Sequence, residues 1–154
     1  MANLNKDIRD ILENLIKLNA DRIEGYTRAQ EDTENPELKR LFSFYSDQSH
    51  HFKAELNSEM INYGGLIPPE NTFLGQIHKV WLDLKASMTS PNTGSILDSC
   101  EFGENAIIQE YDKLLTSEEV ILPIELRHVI ARQQQDIKVA CERIHSLRQV
   151  EKIN

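Results

Sequence analysis

The sequence predicts an all-α protein: a bundle of four long helices with a helical crossover between the second and third bundle helices. Three observations predict it. Apolar residues recur at helical spacing through segments of more than twenty residues, turn-forming residues separate those segments cleanly, and no stretch sustains the period-2 alternation of a strand. At 154 residues the chain fits one domain, residues 1–154, with enough length for a continuous core.

The first helix is expected at about 4–31. Its apolar stripe is Ile8, Ile11, Leu12, Leu15, Leu18, Ile23 and Tyr26. Asn19 and Arg22 fall inside that stripe, and Glu24 falls opposite it. The second helix, about 36–63, opens at Asn35-Pro36-Glu37, an N-cap followed by proline at the first helical position. Its stripe is Leu38, Leu41, Tyr45, Phe52, Leu56 and Tyr63, with Gln48, Glu55 and Glu59 on the same line and His51 at its edge. Phe42, Phe44 and Met60 project to one side, where they are candidates for contact with a second copy or with the crossover.

Gly64-Gly65 and Pro68-Pro69 end this helix. The third segment, about 73–88, is shorter and carries Ile77, Val80, Trp81 and Leu84 at helical spacing. It reads as the crossover, packed on the bundle with Trp81 as a core anchor. After a break at Ser90–Gly94, the helix at about 95–115 lines up Ile96, Cys100, Ile107, Tyr111 and Leu114. Gly103 lies on that face and Glu104 near it, and the missing side chain at 103 would let helices approach closely. The last helix, about 123–150, shows Leu126, Ile130, Ile137, Cys141 and Ile144, with Gln133, Gln134 and Arg148 near the stripe. Each of the four long helices would span roughly 30 Å or more. A medium link between long helices is expected to make the second and third bundle helices parallel.

Composition narrows the partners. A hydrophobic content of 40% with 27% charged residues is ordinary for a soluble protein. The formal charge of −8, with no Lys/Arg block, argues against a nucleic-acid backbone and against an anionic membrane surface. The run Val120–Leu122 is too short to span a bilayer. Met1 to Asp10 carries charges where a secretion signal is apolar. Cys100 and Cys141 fit a reducing cytoplasm and make no disulfide framework.

With the first and second helices antiparallel and the third parallel to the second, Asn19, Arg22, Gln48, Cys100, Glu104 and Gln134 come to similar heights near mid-bundle. Buried polar groups persist only when hydrogen-bonded. The expected arrangement is an Arg22–Glu104 ion pair, with Asn19, Gln48 and Gln134 filling the remaining donors and acceptors.

Several stretches carry a family resemblance: Asn19 to Tyr26, Pro36-Glu37-Leu38, Asp47-Gln48-Ser49 with Phe52 to Leu56, Trp81 to Ala86, and Cys100 to Glu104. Over nearly its whole length the chain resembles a bacterial family of ferritin-like four-helix-bundle proteins catalogued only as a domain of unknown function. The resemblance implies the ferritin-like fold and no particular reaction. The chain departs from that pattern at Cys141, where many relatives carry histidine, and at Asn105, where they carry aspartate. Both departures weaken a metal reading.

A ferritin-like carboxylate site takes one Glu from each of two helices and a Glu-x-x-His pair from each of the other two, because two cations need several anionic oxygens. The nominees are Glu24, Gln48 with His51, Glu101 or Glu104, and Glu142 with His145. Glu24 points away, Gln48 is a neutral amide, and His51 and His145 are separated by roughly 18 Å of helical rise. A fixed Arg22 guanidinium would also repel a dication. No catalytic residue, cofactor or metal is therefore favoured. The competing reading is a divergent metal-binding protein or di-iron-type oxidase, holding iron or manganese on Glu104, Gln48, His51 and Glu101.

The remaining constellations are weaker. Cys100 and Cys141 face inward at comparable height, where buried packing thiols are commoner than a redox pair. Tyr26, Tyr45, Tyr63 and Tyr111 lie on core stripes, the five histidines are scattered, and there is no phosphate loop or nucleophile elbow. The expectation is a cytoplasmic, non-enzymatic structural or interaction protein, stress-related by analogy with its fold, with homo-oligomerisation through an outer face and no named protein partner.

Overall fold

The computed structural model describes residues 2–70, 72, 81 and 92–153. Among them are four helices and no strand: α1 (Ala2–Asp32), α2 (Pro36–Asn62), α3 (Thr93–Thr116) and α4 (Ile124–Ile153). The helix bounds follow local chemistry. The Asn35 side chain accepts from the backbone N–H of Glu37 and Leu38, with Pro36 opening α2. That helix closes in a Schellman motif: Gly65 N–H donates to Met60 and Gly64 N–H to Ile61. Gly64 supplies the required left-handed backbone at φ 78°. At the start of α3, Asn92 and Ser95 form a reciprocal capping box.

α1 packs mainly on α2 and α3 on α4, with further contact between α1 and α3 and between α2 and α4. Hydrogen-bonded pairs set the directions. Gln30 with Lys39, then Asn19 with Ser49, then Arg9 with Tyr63 run in opposite senses, so α1 and α2 are antiparallel. Asn19 with Tyr111 and Arg22 with Glu104 make α1 antiparallel to α3. α2 and α3 are therefore parallel, as the length of the intervening link predicts. The crossover helix expected at 73–88, with Ile77, Val80 and Leu84, lies outside the described residues except for Trp81.

The core forms on a 4-3 seam in every helix. It comprises Ile8, Leu12, Leu15, Asn19, Arg22, Tyr26 and Ala29 on α1, and Leu38, Phe42, Tyr45, Ser49, Phe52 and Leu56 on α2. On α3 it is Leu97, Cys100, Glu104, Ile107 and Tyr111, and on α4 Leu126, Ile130, Gln133, Ile137, Ala140 and Ile144. Alternating spacings of four and three are the mark of knobs-into-holes packing in a supercoiled bundle. This seam corrects the expected face of α2. Phe42 and Met60 are core residues at 0% and 3% exposure, so neither is available to an outside partner, whereas Phe44 is 61% exposed. Leu41 and Tyr63 are only half-buried.

Trp81 is buried against two glycines. A Cβ on Gly25 of α1 would stand 2.5 Å from the indole, and one on Gly103 of α3 would stand 2.2 Å from it. The bare backbone at Gly103 thus admits a ring rather than a neighbouring helix. Tyr26 meets the same indole edge-on at 5.5 Å. Alanine is the better helix former by roughly 1 kcal/mol, yet Gly25→Ala and Gly103→Ala should each lower stability by about 1–3 kcal/mol through overpacking. Urea denaturation of the two variants measures this, and a stabilised Gly103→Ala protein would show that the indole does not occupy that notch.

Candidate functional site

The seam residues at mid-bundle form one continuous hydrogen-bonded chain through all four helices. Arg22 and Glu104 lie at its centre, both with 0% side-chain exposure. Their pairing is bidentate: Nε donates to Oε1 and Nη2 to Oε2, each at 2.8 Å. Arg22 Nη1 donates to the Ser49 hydroxyl at 2.9 Å and to the Tyr45 carbonyl at 3.3 Å. The Ser49 hydroxyl passes its own proton to Asn19 Oδ1 at 2.9 Å. Asn19 Nδ2 donates to the Leu15 carbonyl and to the Tyr111 hydroxyl, and that hydroxyl donates to Gln133 Oε1. Gln133 reaches the Phe52 carbonyl and Glu55, which is paired with Arg132 at the surface.

Every hydroxyl in this chain donates once and accepts once, and Asn19 spends both amide protons and its oxygen. The donors run in one sense from guanidinium to Gln133, so each bond polarises the next. The Tyr26 and Tyr45 rings flank the guanidinium carbon at 5.3 and 5.7 Å. Burial opposes the Arg22 charge, but the Glu104 carboxylate in contact with it outweighs that penalty and holds Arg22 above its ordinary value. The Tyr26 hydroxyl lies buried near the same carboxylate without a well-formed hydrogen bond.

Asn19, Arg22 and Glu104 of the expected layer meet here. Gln48 and Gln134 do not. Gln48 is half-buried, its Oε1 has no hydrogen-bond partner, and Ser49, one residue on, carries the α2 link. Gln134 turns to α3, donating to the Ile108 carbonyl at 3.2 Å and to Asp112 at 2.5 Å, and Gln133 takes its place. The spacing of four and three through the buried apolar residues is the signal that identifies Ser49 and Gln133. Asp21, also fully buried, stands beside the apolar stripe rather than on it, so helical spacing gives no signal for it.

The metal nominees disperse. His51 is exposed on α2. Glu101 lies half-buried between α3 and α4, bonded to His145 and to Arg148, which also pairs with Asp98. Glu24 is bound to Arg28 at 2.7 Å, and Glu142 is exposed. Among the described residues no three His, Cys, Asp or Glu side chains gather at metal-binding spacing. Both oxygens of the central carboxylate are bound by a cation that cannot leave as a proton would. The donor set does not fit a carboxylate-bridged di-metal centre.

These seam positions on α1, α2 and α3 fall within a stretch that matches a known family model, residues 7–117, described as a domain of unknown function, DUF2383. The chain belongs to the DUF2383 family. The match covers three of the four helices and every layer residue except Gln133. No curated protein matches the chain.

The thiols of this DUF2383 protein are free and buried. Burial, then Glu104, pushes Cys100 well above the usual thiol range, and burial with Glu104 and Glu101 pushes Cys141 up to about 12. Neither is an activated nucleophile. Asn105 lies against Cys141, so Cys100 is displaced from it by five residues, roughly 7 Å along the axis, a poor register for a disulfide.

Burial also raises Tyr26 and Tyr111 well above the ordinary phenol value. These thiols and phenols hold their protons more tightly folded than unfolded. The stability they contribute is intact below the ordinary thiol and phenol range and falls as pH rises through it. Phenolate absorbance during alkaline titration should show Tyr26 and Tyr111 ionising only with unfolding, whereas ionisation of either in the folded protein would mean that water reaches the layer. Ser49→Ala orphans Asn19 Oδ1 and one guanidinium proton and should cost about 1–3 kcal/mol. Gln48→Ala, by denaturant midpoint, should cost less; the reverse order would return Gln48 to the layer.

Proposed function

We propose that this protein is a non-enzymatic structural or interaction module of the ferritin-like class, in which a closed salt-bridge and hydrogen-bond layer replaces a di-metal site. The parallel α2 and α3 and the antiparallel helix pairs support the ferritin-like assignment. One observation carries the functional reading: the carboxylate at the bundle centre is neutralised bidentately by Arg22, and the guanidinium is itself anchored by Ser49 and the Tyr45 carbonyl. Binding a dication on Glu104 would require expelling a fixed positive charge from a fully buried position, which breaks a buried pair at a cost of several kcal/mol. Acid–base chemistry at Glu104 meets the same obstacle, since neither oxygen is presented to a cleft. The free, buried thiols are consistent with a reducing cytoplasm.

Metal analysis of protein purified without chelator tests this reading against a divergent iron- or manganese-dependent oxidase. Far less than one equivalent of either metal is expected in the parent protein and in Arg22→Ala alike. Near-stoichiometric metal that survives Arg22→Ala and disappears in Glu104→Ala would replace the present reading with the metal-binding one.

A further inference from the structure

At one end of the bundle α2 and α4 enclose an apolar groove lined by Leu41, Phe44 and Leu147, with Arg40 and Arg143 on its banks and Glu37 at its end. Phe44 projects from it at 61% exposure, its ring held edge-on against Tyr45 at 5.8 Å. Arg9, Arg22, Arg28, Arg127, Arg132 and Arg148 each hold a hydrogen bond or ion pair. Arg40 and Arg143, both on this groove, hold none among the described residues. Asp47 and Glu37, exposed on the same helix, are likewise without a side-chain partner.

We infer that this face pairs with a second copy of the chain about a two-fold axis passing near Phe44. Arg40 and Asp47 flank Phe44 on one side of α2, seven residues and about 10 Å apart, too far to pair with each other along one helix. A two-fold with the two α2 helices antiparallel sets Phe44 against its own symmetry mate. Arg40 then faces the second copy's Asp47, and the exchange is mutual, as an isologous contact requires. The mixed signs decide between occupants. A uniformly acidic peptide would set like charge against Glu37 and Asp47, whereas a second copy pairs Arg40 with Asp47 twice, one charge of each sign per contact. This deepens the interaction-module reading and rests on it.

Sedimentation equilibrium of the full chain at several concentrations, with charge reversals, tests the pairing. The parent should self-associate to a dimer. Arg40→Asp and Asp47→Arg should each weaken it by at least about tenfold, because each places like charges face to face twice per dimer. The double variant R40D/D47R should recover the parent's association, and Phe44→Glu should abolish it. All three positions are exposed, and circular dichroism verifies that the variants remain helical. A parent that stays monomeric, a dimer indifferent to Arg40→Asp, or a double variant no better than the singles overturns the inference. So does a monomer that binds an acidic peptide through Arg40. Metal content measured on the same samples keeps the two readings apart: a metal-loaded dimer sensitive to Arg40→Asp refutes the functional reading and leaves the interface standing.

Discussion

The Arg22–Glu104 pair organises the middle of this bundle, and most of the surrounding polar chemistry follows from having to bury it. Two full charges at 0% exposure are tolerable only when they are paired and hydrogen-bonded. Glu104 is met by two guanidinium N–H groups, and the remaining guanidinium contacts fix the positions of Ser49 and the Tyr45 carbonyl. Ser49 then needs an acceptor, which is Asn19. Asn19 has a donor to spare, which Tyr111 takes, and the Tyr111 hydroxyl proton requires Gln133. One ion pair thus dictates a side chain on each helix. Such a network need not add net stability, because an apolar core of equal volume would hold the helices about as well.

The fold was largely legible because its signals are local and strong: Asn35-Pro36, Gly64-Gly65 and the capping pair around Asn92 mark helix ends by backbone chemistry that no tertiary contact overrides. The layer was legible only in part. Arg22, Glu104 and Asn19 stand well inside runs of apolar residues, so any helical projection turns them inward. Gln48 and Gln134, the residues that projection turns inward, each stand one position from Ser49 and Gln133, which carry the layer. Leu38, Leu41, Tyr45, Gln48 and Phe52 alternate spacings of three and four just as Leu38, Phe42, Tyr45, Ser49 and Phe52 do, so the helix alone offers two inward faces one residue apart, and only the neighbouring helices choose between them. Phe42 and Met60 were misplaced for the same reason.

Two other features depended on partners distant in sequence. Nothing near Gly25 or Gly103 in the chain says that an indole from the connection occupies the space their side chains would fill. The self-complementary charges around Phe44 have meaning only once Phe42 is assigned inward and Phe44 outward, since neighbouring phenylalanines on one helix are otherwise interchangeable.

The account is tested most directly by a double-mutant cycle on the central pair, measured by denaturant unfolding of Arg22→Met, Glu104→Leu and the two combined. Each single substitution strands a buried charge and should cost about 3–5 kcal/mol, while the double should lie close to the parent because the two apolar replacements satisfy each other. Small and similar losses in all three proteins, or a double that merely adds the single costs, would contradict the claim that these two charges hold one another in the core.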